Sequence, residues 1–380
     1  MRRAHRAPTM GTMDEPDKPR AQLTIRDLAA RLGVSKTTVS NAFSRPDQLS
    51  AELRDRVLAA ARAAGYAGPD AMARMLRTRR AGAIGVILPE SLPFALDDPV
   101  AGELFKGIAD ACEERRLGLL VVPGGTHAAD PSTVGQVAVD GFIAYALPRG
   151  SRRLEAALAR NVPTVVVDEP RLPGVATVAV DNASGARDLA RHLVGLGHRR
   201  FGIVAMRFQT DGYTGPVTRE RVSASIYECA VARFDGYAAA LGEAGIDIAA
   251  VPLYECAHSD EAHGAQAAGY LLGLEERPTA ILAMTDRLAI GVMGAARAAR
   301  LHVPRDLSVA GFDDIAAAAH ARPALTTVRQ ELRLKGYAAA RLLLDAPQGT
   351  DPASAPAAAD EFSLPIELVV RRSTGPAPRR

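Results

Sequence analysis

Residues 33–43 read GVSKTTVSNAF, a glycine followed closely by Ser35, Lys36, Thr37 and Thr38. Two chemistries suit such a run. A glycine-rich loop with lysine and hydroxyls can cradle phosphate, or a short helix can carry the same donors into a DNA groove. Spacing separates them. A phosphate loop needs glycine, four residues and then Gly-Lys-Ser/Thr, behind an apolar strand. Here valine follows Gly33, and the preceding stretch is amphipathic and helical in pattern. On a groove-reading helix Lys36 and Thr37 meet base edges near its start. Asn41, one turn on, can bond adenine N6 and N7 together, discriminating by about 1–3 kcal/mol. Ser35, Thr38 and Ser40 suit phosphates, which set register without carrying sequence information.

Catalytic patterns are missing. The chain has no Gly-x-Ser-x-Gly elbow, no His-Glu-x-x-His and no dinucleotide fingerprint after a strand. The histidines of HSDEAH, 258–263, stand at i and i+5, off one helical face, so no metal site is expected. Cys112, Cys229 and Cys256 form no CxxC pair and fit reduced thiols in a cytoplasmic protein. The reading is non-enzymatic, with no cofactor.

The elements around the run explain its placement. Ile25, Leu28, Ala29 and Leu32 repeat at helical spacing behind a Thr24 N-cap, and Gly33 supplies a left-handed stop. Ser35 caps a second helix with Val39, Ala42 and Phe43 turned inward. Ser50 caps a third with Leu53, Val57, Ala60, Ala61 and Ala64 on one side, ended by Gly65 and Tyr66. That is a helix-turn-helix unit. Charge agrees: the chain is only +3 overall, from 46 Lys+Arg and 43 Asp+Glu, but residues 1–80 hold 16 against 8, leaving 30 against 35 in the rest. A basic head on an acidic body is the asymmetry expected where one end meets a polyanion. The N-terminal residues are charged and proline-bearing without an apolar core, which reads as a basic, disordered leader over 1–22 and not a secretory signal. No apolar run reaches membrane-spanning length.

Within 68–80, GPDAMARMLRTRR, Leu76 is an apolar residue in a basic stretch, with Pro69 placed to open a helix. From TIRDLAARLGVSKTTVSNAF through GPDAMARMLRTRRAGAIGVILPE the chain resembles the lactose-repressor (LacI/GalR) family of bacterial regulators. The resemblance implies a hinge helix that pairs with its dimer mate on operator DNA, with Leu76 as a minor-groove wedge flanked by Ala73, Arg74 and Arg77. A wedge of that kind costs a few kcal/mol of unstacking, offset by contacts to kinked DNA. Asn41 stands where many relatives carry arginine, so the half-site read here is expected to differ.

After residue 82 strands alternate with helices, the pattern of parallel sheets with right-handed crossovers. Strand patterns fall at 83–88, 117–123, 141–147, 164–169, 176–181, 201–206, 250–256, 280–285, 307–314 and 366–372. Helical ones fall at 103–116, 183–197, 233–245, 260–274 and 286–300. Ten strands imply two lobes, with ligand in the cleft between them. VAVDNASGARDLARHLVGLGHRRFGIV, RFDGYAAALGEAGI, PTAILAMTDRLAIGVMGAAR and VPRDLSVAGFDD extend the resemblance, whose core is similar to periplasmic sugar-binding proteins. The expected fold is α/β: a three-helix head (23–68), a hinge helix or linker (69–80) and a two-lobed periplasmic-binding-protein-like core (81–380). Lobe 1 would comprise 81–181 plus 313–344 and lobe 2 182–312 plus 345–372, with crossings near Asp181–Asn182, Phe312–Asp314 and Leu344–Phe362. The resemblance makes Arg233 and Asp286 pocket residues. An arginine fork binds carboxylates or vicinal hydroxyls, and a carboxylate accepts hydroxyl protons. Asp286 reads equally as a helix N-cap. Phe94 can stack on a ligand or fill a core, and Asp168 ends a cleft-facing strand.

The loop after the first strand is long, and 123–139 falls short of a full helix. Residues 207–230 insert sequence that covers the cleft mouth or lends it Tyr213, Arg219 or Arg221. The tail lacks leucine heptads, so a homodimer is expected. Together these features describe a DNA-binding regulator, a repressor by resemblance, whose partners are double-stranded operator DNA, a sugar- or nucleoside-like effector and its own second copy, with no membrane partner. A periplasmic solute-binding protein without DNA function is the competing reading of the body alone.

Overall fold

The computed structural model describes residues 24–68, 75–76, 78, 80–124, 132–346 and 361–378. The chain forms two compact units, divided after Arg80. In the first, α1 (Ile25–Leu32), α2 (Lys36–Ser44) and α3 (Ala51–Ala63) enclose a small core of Leu28, Ala29, Val39, Ala42, Val57 and Ala61. Thr24 and Asp27 form a reciprocal capping box at the start of α1. Gly33 closes that helix at φ 64°, and its amide reaches back to Ala29 and Ala30. The Phe43 ring stands edge-on to Tyr66, centroids 5.8 Å apart.

The second unit runs β1 (Ala83–Ile87), α4 (Leu92–Asp97), α5 (Pro99–Arg115), β2 (Gly118–Val122), α6 (Ser132–Gln136), β3 (Gly141–Tyr145), α7 (Arg152–Leu158), β4 (Thr164–Val167), β5 (Ala176–Val180) and α8 (Asn182–Gly195). It continues through β6 (Phe201–Ala205), β7 (Gly215–Pro216), α9 (Arg219–Ser223), α10 (Glu228–Glu243), β8 (Leu253–Glu255), α11 (Glu261–Leu272), β9 (Ala280–Ala283), α12 (Asp286–Ala298) and β10 (Ser308–Ala310). Last come α13 (Ala316–His320), β11 (Thr327–Gln330), α14 (Leu332–Asp345), β12 (Glu361–Leu364) and β13 (Ile366–Val369). Lobe 1 is a parallel sheet in the order β12-β5-β4-β3-β1-β2. Lobe 2 has the order β10-β9-β6-β8-β7, with only β7 antiparallel, and β11 pairs with β13 in a separate antiparallel ribbon. Apolar cores line both faces of each main sheet, as parallel strands require.

Two of the three expected crossings lie elsewhere. The chain passes from β5 to α8 at Asp181, but it does not leave lobe 2 at Phe312–Asp314. Ile315, Ala318 and Leu325 turn back into the lobe 2 core, and the passage comes only at β11. Likewise β12 does not belong to lobe 2. It lies beside β5 in lobe 1, Glu361 opposite Thr177, and the return falls between Leu364 and Ile366. The tail then docks on lobe 2, where buried His198 bonds Ser308 and the Gly375 carbonyl, each at 3.0 Å. The short apolar spacing of 315–325 is indistinguishable from a linker until its neighbours are known. The long loop after β1 holds α4 and the start of α5, and α14 and β11 had no separate expectation.

Helix pairs carry the lobes. α5 packs on α14, α8 on α10 and α11 on α12, each through glycine backbone. A Cβ on Gly107 would stand 1.8 Å from the Arg333 carbonyl, and one on Gly336 2.1 Å from that of Leu104. Gly236, Gly264 and Gly291 make equivalent approaches in lobe 2. On α5 itself, Gly102 has open space around it. Gly107→Ala is therefore expected to destabilise the core by about 1–3 kcal/mol by overpacking. Gly102→Ala should be neutral or stabilising by up to ~1 kcal/mol. Urea unfolding of the two variants side by side makes the comparison.

Candidate functional site

On the head, Ser35 caps α2: its Oγ accepts the Thr38 amide at 3.0 Å and lies 2.8 Å from Thr38 Oγ1. These two hydroxyls thus serve one another as well as any phosphate. Lys36 and Thr37 project into solvent from the helix start. Ser40 is half-buried and accepts a bond at its carbonyl from the Ser44 hydroxyl, 2.9 Å. Asn41, also half-buried, donates through Nδ2 to Gln48 Oε1 at 3.1 Å, a partner sequence reasoning did not assign. Leu76 is 74 % exposed, a conspicuous state for leucine. Ala73, Arg74 and Arg77 lie outside the described residues.

In the core, the cavity between the lobes forms where strands of both sheets end. Two connected chambers of about 120 and 130 Å³ share Asp98, Tyr145, Ala146, Glu169, Met206 and Ser259. Arg233, from α10, is 6 % exposed and stacks 3.8 Å over the Phe312 ring. Its Nε donates to Asn182 Oδ1 at 2.8 Å and its Nη1 to the Met284 carbonyl, with Asp313 Oδ1 3.6 Å from Nη1. A guanidinium held on three sides is pre-organised for a ligand. Phe94 lines the 120 Å³ chamber from α4, half-buried, its ring 5.5 Å from His258 and below Arg287.

Asp286 is not brought to the cavity. Its carboxylate is fully buried and turned into lobe 2, where it accepts the Ile315 amide at 2.9 Å and the Thr327 hydroxyl. Nor is it the helix cap, since Thr285 takes that place by accepting the Leu288 amide. The aspartate that faces the cavity and Arg233 is Asp313. Its signal in the sequence was the Asp313–Asp314 doublet after a strand. The backbone marks it more strongly: Asp313 has φ 124°, and Ala146 (47°) and Asp168 (67°) are also left-handed. All three end strands and border the cavity, where non-glycine residues in such conformations tend to be functional.

Asp168 is joined to a residue that went unnoticed, Lys335. This lysine is 1 % exposed, and its Nζ donates to Asp168 Oδ1 (2.7 Å) and Gln330 Oε1 (2.6 Å). Because an ammonium only donates, the Gln330 oxygen must face it, so the amide nitrogen faces Asp313 Oδ1 at 2.7 Å. A buried polar chain therefore runs from lobe 1 through the β11 crossing to Asp313 and Arg233 in lobe 2.

The inserted segment covers the cleft mouth. Arg207 pairs with Glu90 at 2.5 Å, the Ile226 carbonyl accepts the Arg149 amide at 2.9 Å, and Glu228 accepts the Arg171 amide at 3.1 Å. Arg221 is committed elsewhere, to Glu255 and Asp211 with Tyr213 beneath it, so neither Arg221 nor Tyr213 lines the cavity. Arg219 is not among the lining residues either, and the segment's contribution to the wall is Arg207, Tyr227 and Cys229.

Glu169, 2 % exposed, accepts the Cys229 amide across the lobes at 2.8 Å. Burial pushes its carboxyl up to about 7, and burial likewise raises Asp313 and Asp286. A raised carboxyl favours the folded state below its unfolded value, and that contribution fades as pH climbs through the folded one. The thermal midpoint should therefore fall between pH 5 and 8. Glu169→Gln is expected to flatten the fall, removing a contribution of order 3 kcal/mol at most. An unchanged pH profile of melting would contradict this.

Residues 24–68 match the family described as bacterial regulatory proteins, lacI family, and residues 190–374 match the periplasmic binding protein-like domain. The chain is 40 % identical over 362 residues to an HTH-type transcriptional regulator of Mycobacterium tuberculosis, covering 94 % of this chain and 98 % of that one. Among solved structures it resembles the lac repressor dimer bound to operator and the anti-inducer ONPF, with 26 % identity, TM-score 0.73, and 93 % and 99 % of the two chains covered. It also resembles a CelR–cellobiose complex, with 26 % identity, TM-score 0.66, and 92 % and 99 % covered. A capped helix-turn-helix head, a two-lobed core with a polar cavity, the lacI-family match and 40 % identity to such a regulator over nearly the whole chain place it in the LacI family of DNA-binding transcriptional regulators with a ligand-binding core.

Proposed function

We propose that this regulator is a cytoplasmic repressor that binds a roughly palindromic operator as a homodimer. A small polar molecule held between the core lobes sets its operator affinity. The observation that carries the effector half is the cavity itself: Arg233 and Asp313, both buried, face one chamber from lobe 2 while Asp168 and Glu169 face it from lobe 1. A molecule touching both sides stabilises one lobe arrangement over another, which is the differential contact a ligand needs to act at a distance. Coupling of this kind is typically about 1–3 kcal/mol and reciprocal. The solved relatives are respectively a repressor dimer on its operator and a regulator holding cellobiose, and a sugar- or nucleoside-like effector suits a chamber of this size and polarity.

On DNA, Lys36 and Thr37 are the base-edge readers at the start of α2, with Asn41 behind them. Ser35, Thr38 and Ser40 are phosphate contacts. The exposed Leu76 is the minor-groove wedge, with Ala73, Arg74 and Arg77 beside it.

Fluorescence anisotropy against duplex fragments from the source genome tests the reading. The full chain should select a fragment with salt-dependent affinity, and removal of residues 1–80 should abolish binding. Asn41→Ala is expected to relax discrimination at one operator position by about 1–3 kcal/mol while sparing non-specific binding. A uniform loss across sequences would make Asn41 a phosphate contact instead. Arg233→Ala should leave operator affinity in place and remove the response to sugars and nucleosides in a thermal-shift screen. A surviving response would displace Arg233 from the pocket.

A further inference from the structure

We propose that the effector of this cavity carries a positively charged nitrogen, as an amino sugar or an aminated polyol of single-ring size does. The proposal rests on the effector-cavity reading above and names the ligand class. It comes from matching every charge around the chambers. Arg207 is paired with Glu90 at 2.5 Å, Arg287 with Glu261 at 2.8 Å, and Lys335 with Asp168 at 2.7 Å. Arg233 has Asp313 at 3.6 Å. Each cation beside the cavity already has its own carboxylate.

Two carboxylates remain. Asp98 and Glu169 both border both chambers, and neither has a lysine or arginine nitrogen at ion-pair distance among the described residues. Each is held only by backbone amides: Asp98 by Val100 at 3.2 Å, as the cap of α5, and Glu169 by Cys229. Glu169 is buried and Asp98 half-buried, and although the Arg287 charge offsets part of the cost at Asp98, burial raises both groups toward their protonated forms. A ligand that brings the missing charge removes that cost. A phosphorylated or carboxylate ligand would add to it.

The wall offers a second feature that suits an ammonium. Tyr145 borders both chambers, and its hydroxyl has no hydrogen-bond partner among the described residues. The rings of Phe94 and Tyr227 are already covered by Arg287 and Arg207. Tyr145 is thus the aromatic left to face a ligand cation, with its hydroxyl available to the ligand's own hydroxyls.

Isothermal titration of the full-length protein at pH 7 with D-glucosamine against D-glucose, and D-galactosamine against D-galactose, tests the idea, with N-acetylglucosamine as the uncharged nitrogen control. At least one amino sugar should bind about tenfold or more tighter than its hydroxyl counterpart and its acetylated form. Asp98→Asn, which keeps a good helix cap, and Glu169→Gln should each bring that preference to within about twofold. Melting of the free variants shows that they fold. A neutral sugar binding as tightly as its amine overturns the proposal while leaving the effector cavity intact. So does an amine preference that survives both substitutions, or the absence of binding by either amino sugar. Loss of duplex binding by the wild-type chain would instead strike at the regulator reading itself.

Discussion

The core depends on one buried polar chain. Lys335 holds Asp168 and Gln330, Gln330 holds Asp313, Asp313 lies against Arg233, and Arg233 is tied to Asn182 at the first crossing. All links but the 3.6 Å ion pair of Asp313 with Arg233 are short hydrogen bonds, and nearly every member is withdrawn from water, so removing one strands a charge or an amide at a cost of several kcal/mol. The same low dielectric that makes the chain expensive to break makes it directional. An ammonium can only donate and a carboxylate only accept, so the orientation of each group dictates the next. The two lobes therefore share a set of hydrogen bonds that a purely apolar seam would not give them.

Around that chain the sheets concentrate their unusual backbone. Ala146, Asp168 and Asp313 each adopt positive φ at the end of a strand, and each borders the cavity. The strands leading to these residues, β3, β4 and β10, are largely buried, and the glycine-packed helix pairs leave little room to relax. Strain of about 1–3 kcal/mol per residue persists only where packing over-determines it. Here it sets the three residues where the ends of both sheets face a common space.

Much of this was legible beforehand, for physical reasons. Periodicity and caps located the head, because Thr24, Gly33, Ser35 and Ser50 act on their immediate neighbours. Strand–helix alternation gave two parallel lobes. What escaped was long-range pairing. Asp286 and Asp313 both follow strands and look alike locally, yet one is consumed by Ile315 and Thr327 while the other faces Arg233. Lys335 reads as an ordinary helix residue until Asp168, 167 positions away, is seen beside it. The crossings at β11 and after β12 were misplaced for the same reason: which sheet accepts a short strand is decided by partners, not by its own residues.

The bond between Asn41 and Gln48 has its own implication. The Asn41 Nδ2 carries two hydrogens, so one can stay on Gln48 while the other, together with Oδ1, is left for a second partner. Gln48 thus fixes how the amide is turned, and with it which of its donor and acceptor atoms remain outward. A change of Gln48, which stands outside α2 in the turn after it, would therefore alter what the outward face of that helix offers.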